Sequence, residues 1–153
     1  MALSLESAVR VKQRTLAETR KPKVQAMLKA FWSYHDQHKR DPDLQLVPFV
    51  TLGSAADVVI ADVACKVYLI FIVSPSASST ATFVKGTDSA TTGSDTASEL
   101  VQKVAGAATE LLAYFDGFPM ANGFVLEAHT TADGGTGSSA ADRSNGWVVI
   151  GAA

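Results

Sequence analysis

The sequence predicts a mainly β protein: an antiparallel β-sandwich, jelly-roll-like with about eight strands, preceded by an N-terminal helical arm. Three observations carry this expectation. Composition changes sharply near residue 43, where Lys and Arg nearly vanish and Val, Thr, Ser, Ala and Gly rise. From Leu44 onward, β-branched and aromatic runs recur between turn signals at spacings of roughly 8–12 residues. Upstream, Val24, Met27, Leu28, Phe31 and His35 fall at i, i+3, i+4, i+7 and i+11, the stripe of an amphipathic helix.

The 153 residues suit one domain of ordinary size plus an extension, and 47% hydrophobic with 18% charged residues is enough to bury a core. No apolar run reaches the roughly 18 residues of a membrane span, so no membrane role is expected. The N-terminus reads as lacking a signal peptide, because Leu3 and Leu5 are followed at once by Glu6, Arg10 and Lys12. Cys65 is the only cysteine, which excludes an intrachain disulfide and reads as a small buried side chain. Net charge is only −2, yet it is segregated: residues 1–40 carry +6 and the remainder −8. The pattern is a basic arm on an acidic body, able to dock on an acidic surface, on nucleic acid or on a neighbouring copy.

Two domains are expected, a basic helical arm over residues 1–43 and a sandwich over 44–153. Residues 1–21 read as a weak amphipathic helix through Leu5, Val9 and Leu16. Pro22 disfavours helix at Lys21 and is well placed to open a second helix. That second helix carries the stripe, widened by Trp32. A helix of this length is marginal alone in water, so its apolar face must be covered by the body or by a partner. The partner-binding set predicted on the arm is Val24, Met27, Leu28, Phe31 and Trp32 for burial, with Arg10, Arg14, Lys23 and Lys29 selecting an acidic surface. His35 and His38 lie near the helix end; they read as solvated cations there in preference to a metal pair, since no further ligand is nearby. The polar run 38–43 is the hinge.

In the body, Gln45 to Leu52 is extended, and Pro48 marks an edge strand or a bulge. Val58 to Val63 is a strand. Lys66 to Val73, apolar on both faces, is a central strand. Thr80 to Lys85 follows, then a small-polar loop over 86–94. Gly123 to Thr130 and Gly146 to Gly151 are the last strands, separated by a loop over 131–145. The stretch Thr96–Ala128 reads either way: Leu100, Val104, Ala108, Leu111 and Phe115 recur at helical spacing, but a helix would place Gly106 mid-way at a cost of about 1 kcal/mol. Context favours two strands, Glu99 to Val104 and Glu110 to Asp116, forming a hairpin about Gly106. Asp116-Gly117-Phe118-Pro119 then reads as a turn.

A search for chemistry yields little. No nucleophile elbow is present. The run Gly134 to Ser139 lacks the Lys of a phosphate loop and reads as a surface loop. His129, Asp133 and Asp142 are a weak candidate for holding a cation. Glu99 and Glu110 would face each other across the hairpin, where like charges are unfavourable, and read as solvated strand ends. Phe31, Trp32 and Tyr34 interleave with basic residues, but they fall largely on the apolar stripe, so nucleic-acid binding is not the preferred role. No cofactor, no metal and no enzymatic activity are expected.

The order of pieces resembles a small β-sandwich domain of tailed-bacteriophage virion proteins. The matching positions are Val67 to Val73, Ala81 to Lys85, Leu100 to Val104, Leu111 to Phe115, Gly117-Phe118 to Asn122-Gly123, and Trp147 to Ile150. Met120 stands where that group has an aromatic, and Ser74 where it has Asn. The resemblance implies strands in Thr96–Ala128 and a structural role. The expected protein is a capsid decoration or cement protein, made in the host cytoplasm and carried on the particle surface. Capsid or other virion proteins would be its partners, and a homo-oligomer, by analogy a trimer, its form. The alternative it implies is a tail, fibre or spike component whose sandwich binds a receptor or carbohydrate; nucleic-acid binding through the arm is the lesser alternative.

Overall fold

The computed structural model describes residues 17–38, 44–52, 57–74, 82–92, 98–105, 108–129 and 144–153. One helix, α1 (Pro22–His38), precedes eight strands: β1 (Gln45–Leu52), β2 (Val58–Ala61), β3 (Cys65–Val73), β4 (Thr82–Thr87), β5 (Leu100–Val104), β6 (Thr109–Met120), β7 (Phe124–His129) and β8 (Ser144–Ala152). They form two four-stranded antiparallel sheets, ordered β1-β8-β3-β6 and β2-β7-β4-β5. This is the strand order of a jelly-roll sandwich. Both sheets turn alternate residues inward onto one core, which includes Phe49, Ile70 and Val148 from the first sheet and Val84, Phe124 and Leu126 from the second.

Several elements follow their sequence signals closely. Pro22 opens α1, whose first helical bond runs from the Gln25 N–H to the Lys21 carbonyl at 3.0 Å. Residues 17–19 are helical and end in a turn at Arg20 and Lys21. β1, with its Pro48, is an edge strand and its register slips between Phe49 and Leu52. β3, apolar on both faces, is central, paired to β8 on one side and β6 on the other.

The described residues within Thr96–Ala128 form strands and no helix, but the expected hairpin between Leu100–Val104 and the strand that follows does not form. β5 pairs with β4 at the edge of one sheet, while β6 pairs with β3 at the edge of the other. The chain crosses from sheet to sheet between them. Alternation fixed which side chains face the core; it carries no information on which strand lies alongside. Glu99 and Glu110 therefore do not oppose each other across a hairpin.

The second difference concerns Asp116-Gly117-Phe118-Pro119. These residues are not a turn between strands but part of β6, which runs to Met120. Val67 pairs with Phe118 and Leu69 with Ala113, so Tyr114 to Gly117 bulge out opposite Tyr68 alone. Gly117 makes the bend at φ 79°, and a Cβ there would lie 3.0 Å from the Tyr68 ring and the Lys66 side chain. Against β8 the excess is reversed: Tyr68 is the extra residue of β3, where Val67 pairs with Ile150 and Leu69 with Val149. Side-chain parity changes there. Val67, Ile70 and Ile72 join the inner core, while Tyr68, Leu69, Phe71 and Val73 all belong to a second cluster outside it.

Candidate docking face

That second cluster is what α1 covers. Val24 and Phe31 of the helix pack with Tyr68, Leu69, Phe71, Val73, Trp147 and Val149, joined by Leu28, Leu111 and Ala113. The 3.6-residue stripe read from the sequence is thus satisfied within the chain, across the expected boundary at residue 43. Phe31 is wholly buried; such burial stabilises by about 1.5–3 kcal/mol. Its ring lies 5.9 Å from that of Phe115 and 6.2 Å from that of Tyr68, and Phe71 stacks on Trp147 at 5.1 Å.

Polar contacts fix the helix from both ends. The Thr109 hydroxyl donates to the Glu18 carboxylate at 2.7 Å, and Glu18 also pairs with Lys21 at 2.7 Å. The Trp147 indole N–H donates to the Thr19 hydroxyl at 3.4 Å. Near the far end, the Tyr34 hydroxyl donates to Asp116 in the β6 bulge at 2.6 Å, and the Tyr34 ring stacks on Phe115. His35 is not the solvated cation expected from its place on the helix. It is buried against Phe31 and Tyr68, at ring separations of 4.3 and 5.0 Å.

The predicted partner-binding set is therefore divided. Val24, Leu28 and Phe31 face the chain's own sheet, which corrects the expectation that they await an outside partner. Met27 and Trp32 remain exposed, Trp32 by 43%, on opposite flanks of the helix. Lys23 and Lys29 are exposed and enter no ion pair among the described residues. Arg10 and Arg14 lie outside the described residues.

Each flank borders a hollow. On the Met27 side, Lys23, Val24, Thr109 and Leu111 line a small one of about 100 Å³. On the Trp32 side a largely apolar groove of about 310 Å³ runs between α1 and the β1–β8 edge, lined by Leu28, Trp32, Leu46, Leu69, Trp147 and Val149, with Thr19 its one polar wall. Leu46, 60% exposed on the edge strand, forms its outer lip. Sequence reasoning missed Leu46 and Trp147 as groove residues. Both lie on the outward parity of strands whose alternate residues Val47 and Val148 face the core, a parity the sequence shows only once the core face of each strand is known.

The opposite sheet sets charged groups on its outer side, the buried Lys85 among them. Across its outer face Lys85 of β4 stands opposite Glu127 of β7, and Asp57 precedes β2 beside them. His129 Nε2 lies 3.1 Å from Glu127 Oε2. Burial, then the neighbouring Glu127 charge, push the Asp57 carboxyl above its ordinary range, with His129 pulling the other way. The cation site sketched from His129, Asp133 and Asp142 cannot be placed, since both aspartates lie outside the described residues; His129 itself pairs with Glu127. Gly134 to Ser139 also lies outside them. Among the described residues no group of three or more His, Cys, Asp or Glu side chains is disposed to hold a metal ion.

At one end of the sandwich the β2–β3 turn, Asp62 to Ala64, borders a hollow of about 420 Å³ that reaches Gln45 and Ile150. The buried Cys65 thiol also lines it; burial, and then Asp88, raise its pKa, which makes it a poor nucleophile. At the β7 entry, Asp88 accepts backbone N–H groups from Ala121, Asn122 and Gly123 at 3.0, 2.6 and 3.3 Å, and these hold its carboxyl below the ordinary range.

No protein-family model, no curated protein and no solved structure matches this chain.

Proposed function

We propose that this chain is a structural protein of a virus particle, a capsid decoration or cement protein that stabilises the assembled shell by binding in many copies. The observation that carries the reading is α1: a helix laid across the outer face of a jelly-roll sheet, with Lys23 and Lys29, in no ion pair among the described residues, beside exposed Met27 and Trp32. A surface that joins exposed apolar groups to fixed positive charge suits an acidic protein face, on the shell or on an adjacent subunit. Repetition of a modest contact over many equivalent sites then yields large aggregate stabilisation. The jelly-roll strand order and the sequence resemblance to phage virion domains support the same reading, with a homotrimer as the proposed form.

The carbohydrate-binding alternative draws less support. Phe118 packs against the inner core, and the Trp32 groove has largely apolar walls where sugar hydroxyls need polar partners. For nucleic acid, Phe31 is buried and Tyr34 stacked, so of the three arm aromatics only Trp32 offers a largely exposed ring.

The deciding experiment is quantitative mass spectrometry of purified particles from a culture producing this chain, with particle heat stability measured before and after its removal. The reading expects many copies per particle and a lower disruption temperature without them. Its absence from washed particles would refute it.

A further inference from the structure

We propose that the Trp32 groove of one copy receives the β2–β3 turn of a second copy of this chain. This rests on reading α1 as a docking face and names the partner that face meets.

The two surfaces are complementary in kind. The groove is largely apolar, about 310 Å³, with Trp32 and Leu46 exposed at its lips and Arg20 and Lys29 on the adjoining exposed positions. Lys29 lies three residues before Trp32 and the exposed Asp36 four after it on one flank of α1, so that with Arg20 the groove's neighbours are two cations and one carboxylate, a net positive rim. The turn carries the opposite signature. Val63 is 65% exposed, the most exposed large hydrophobic among the described residues, and Asp62 beside it is exposed and has no ion-pair partner among them. Asp57 and the exposed Val59 extend this acidic and apolar strip along β2, an edge strand. The segregation of charge along the chain, +6 over residues 1–40 and −8 over the rest, gives the same pairing at long range.

The turn does not suit a like turn. Bringing two copies together through this strip alone would set Asp57 and Asp62 against themselves, whereas the groove offers positive charge and an apolar recess. Pro48, which lacks an N–H, blunts the β1 edge beside the groove against simple strand addition. Side-chain insertion into the groove is the contact that remains. It joins two different patches, so it is heterologous, and in the proposed trimer it repeats around a three-fold axis to close a ring.

The test uses the full-length chain and two surface variants, Trp32→Glu and Val63→Glu. Both positions are exposed, so circular dichroism and thermal melts should match wild type. By sedimentation velocity the wild type should form a closed oligomer, and each variant alone a monomer. An equimolar mixture should form a one-to-one dimer and stop there, because the Val63→Glu copy keeps a sound groove and the Trp32→Glu copy a sound turn. High salt should weaken all of these contacts without abolishing them. A monomeric wild type, oligomers that survive both substitutions, or a mixture that stays monomeric would each overturn the pairing. Pure protein answers the question, so the outcome is separable from the virion reading: a monomer found on particles sinks only the pairing, and an oligomer absent from particles sinks only the virion role.

Discussion

The Tyr34 hydroxyl and the Asp116 carboxylate, 82 positions apart in the chain, meet at 2.6 Å. One belongs to the last turns of α1 and the other to the bulge of β6, so a helix end is tied to the irregular part of a strand. Because Asp116 is exposed, the bond is worth about 1 kcal/mol or less. Tyr34→Phe should lower the unfolding free energy by that amount in urea titration. Tyr34→Ala should cost more, since it also removes the ring stacked on Phe115.

Phe31 and Trp32 are neighbours with opposite fates. Phe31→Ala empties a wholly buried site and should cost about 3–5 kcal/mol. Trp32→Ala should stay within about 1 kcal/mol, its ring being half in solvent. The pair is checked by chemical denaturation of both variants. Equal losses would mean that α1 does not sit on the sheet as described.

Deletion of residues 1–40 is the larger version of the same measurement. The sequence boundary at residue 43 expects a folded sandwich to survive. The structure adds that Tyr68, Leu69, Phe71 and Trp147 then lose their cover. The truncated chain should keep its strand signal by circular dichroism, yet bind a hydrophobic dye and aggregate at concentrations where the full chain does not.

Acid should act in opposite directions at two aspartates. Asp88 is depressed in the folded state, so its contribution is full above its ordinary 3.8 and is lost as pH falls through the folded value. Asp88→Asn should therefore destabilise at neutral pH, with the difference shrinking in acid. Asp57 is raised, so its ionised form burdens the fold above the folded value, and the burden lifts as pH falls below 3.8. Asp57→Asn should stabilise at neutral pH, with the gain fading in acid. Thermal melts of both variants from pH 7 to pH 3 provide the check.

Gly146 brings β8 hard against β3: a Cβ there would overlap the Phe71 carbonyl oxygen. Gly146→Ala should prevent soluble expression or lower the melting temperature by many degrees. The exposed Ala26→Gly change on α1 should cost only about 1 kcal/mol by the same assay.

The fold class was legible because alternation and turn signals are local. Pro48 named an edge strand, and the doubly apolar run before Ser74 named a central one. Pairing was not legible: nothing local in Leu100 to Val104 tells whether it lies beside β4 or β6. The bulge at Asp116-Gly117 carried a turn signal because Gly117 does turn the chain, inside a strand instead of between two. On α1 the stripe was plain, and so was the second apolar face of β3, but that the one covers the other was not, since it depends on how the helix folds back over the sheet. The groove at Trp32 needed two strands and a helix to be placed together, which no single stretch encodes.

The extra residue at Tyr68 also has a bearing on descent. A strand without it would keep one alternation throughout and would still present Leu69, Phe71 and Val73 outward. What it would lose is the ring that lies beside Phe31 and His35. In a lineage that dropped this residue the apolar row under the helix would persist, while the aromatic contacts of Phe31 and His35 with the sheet would be released together.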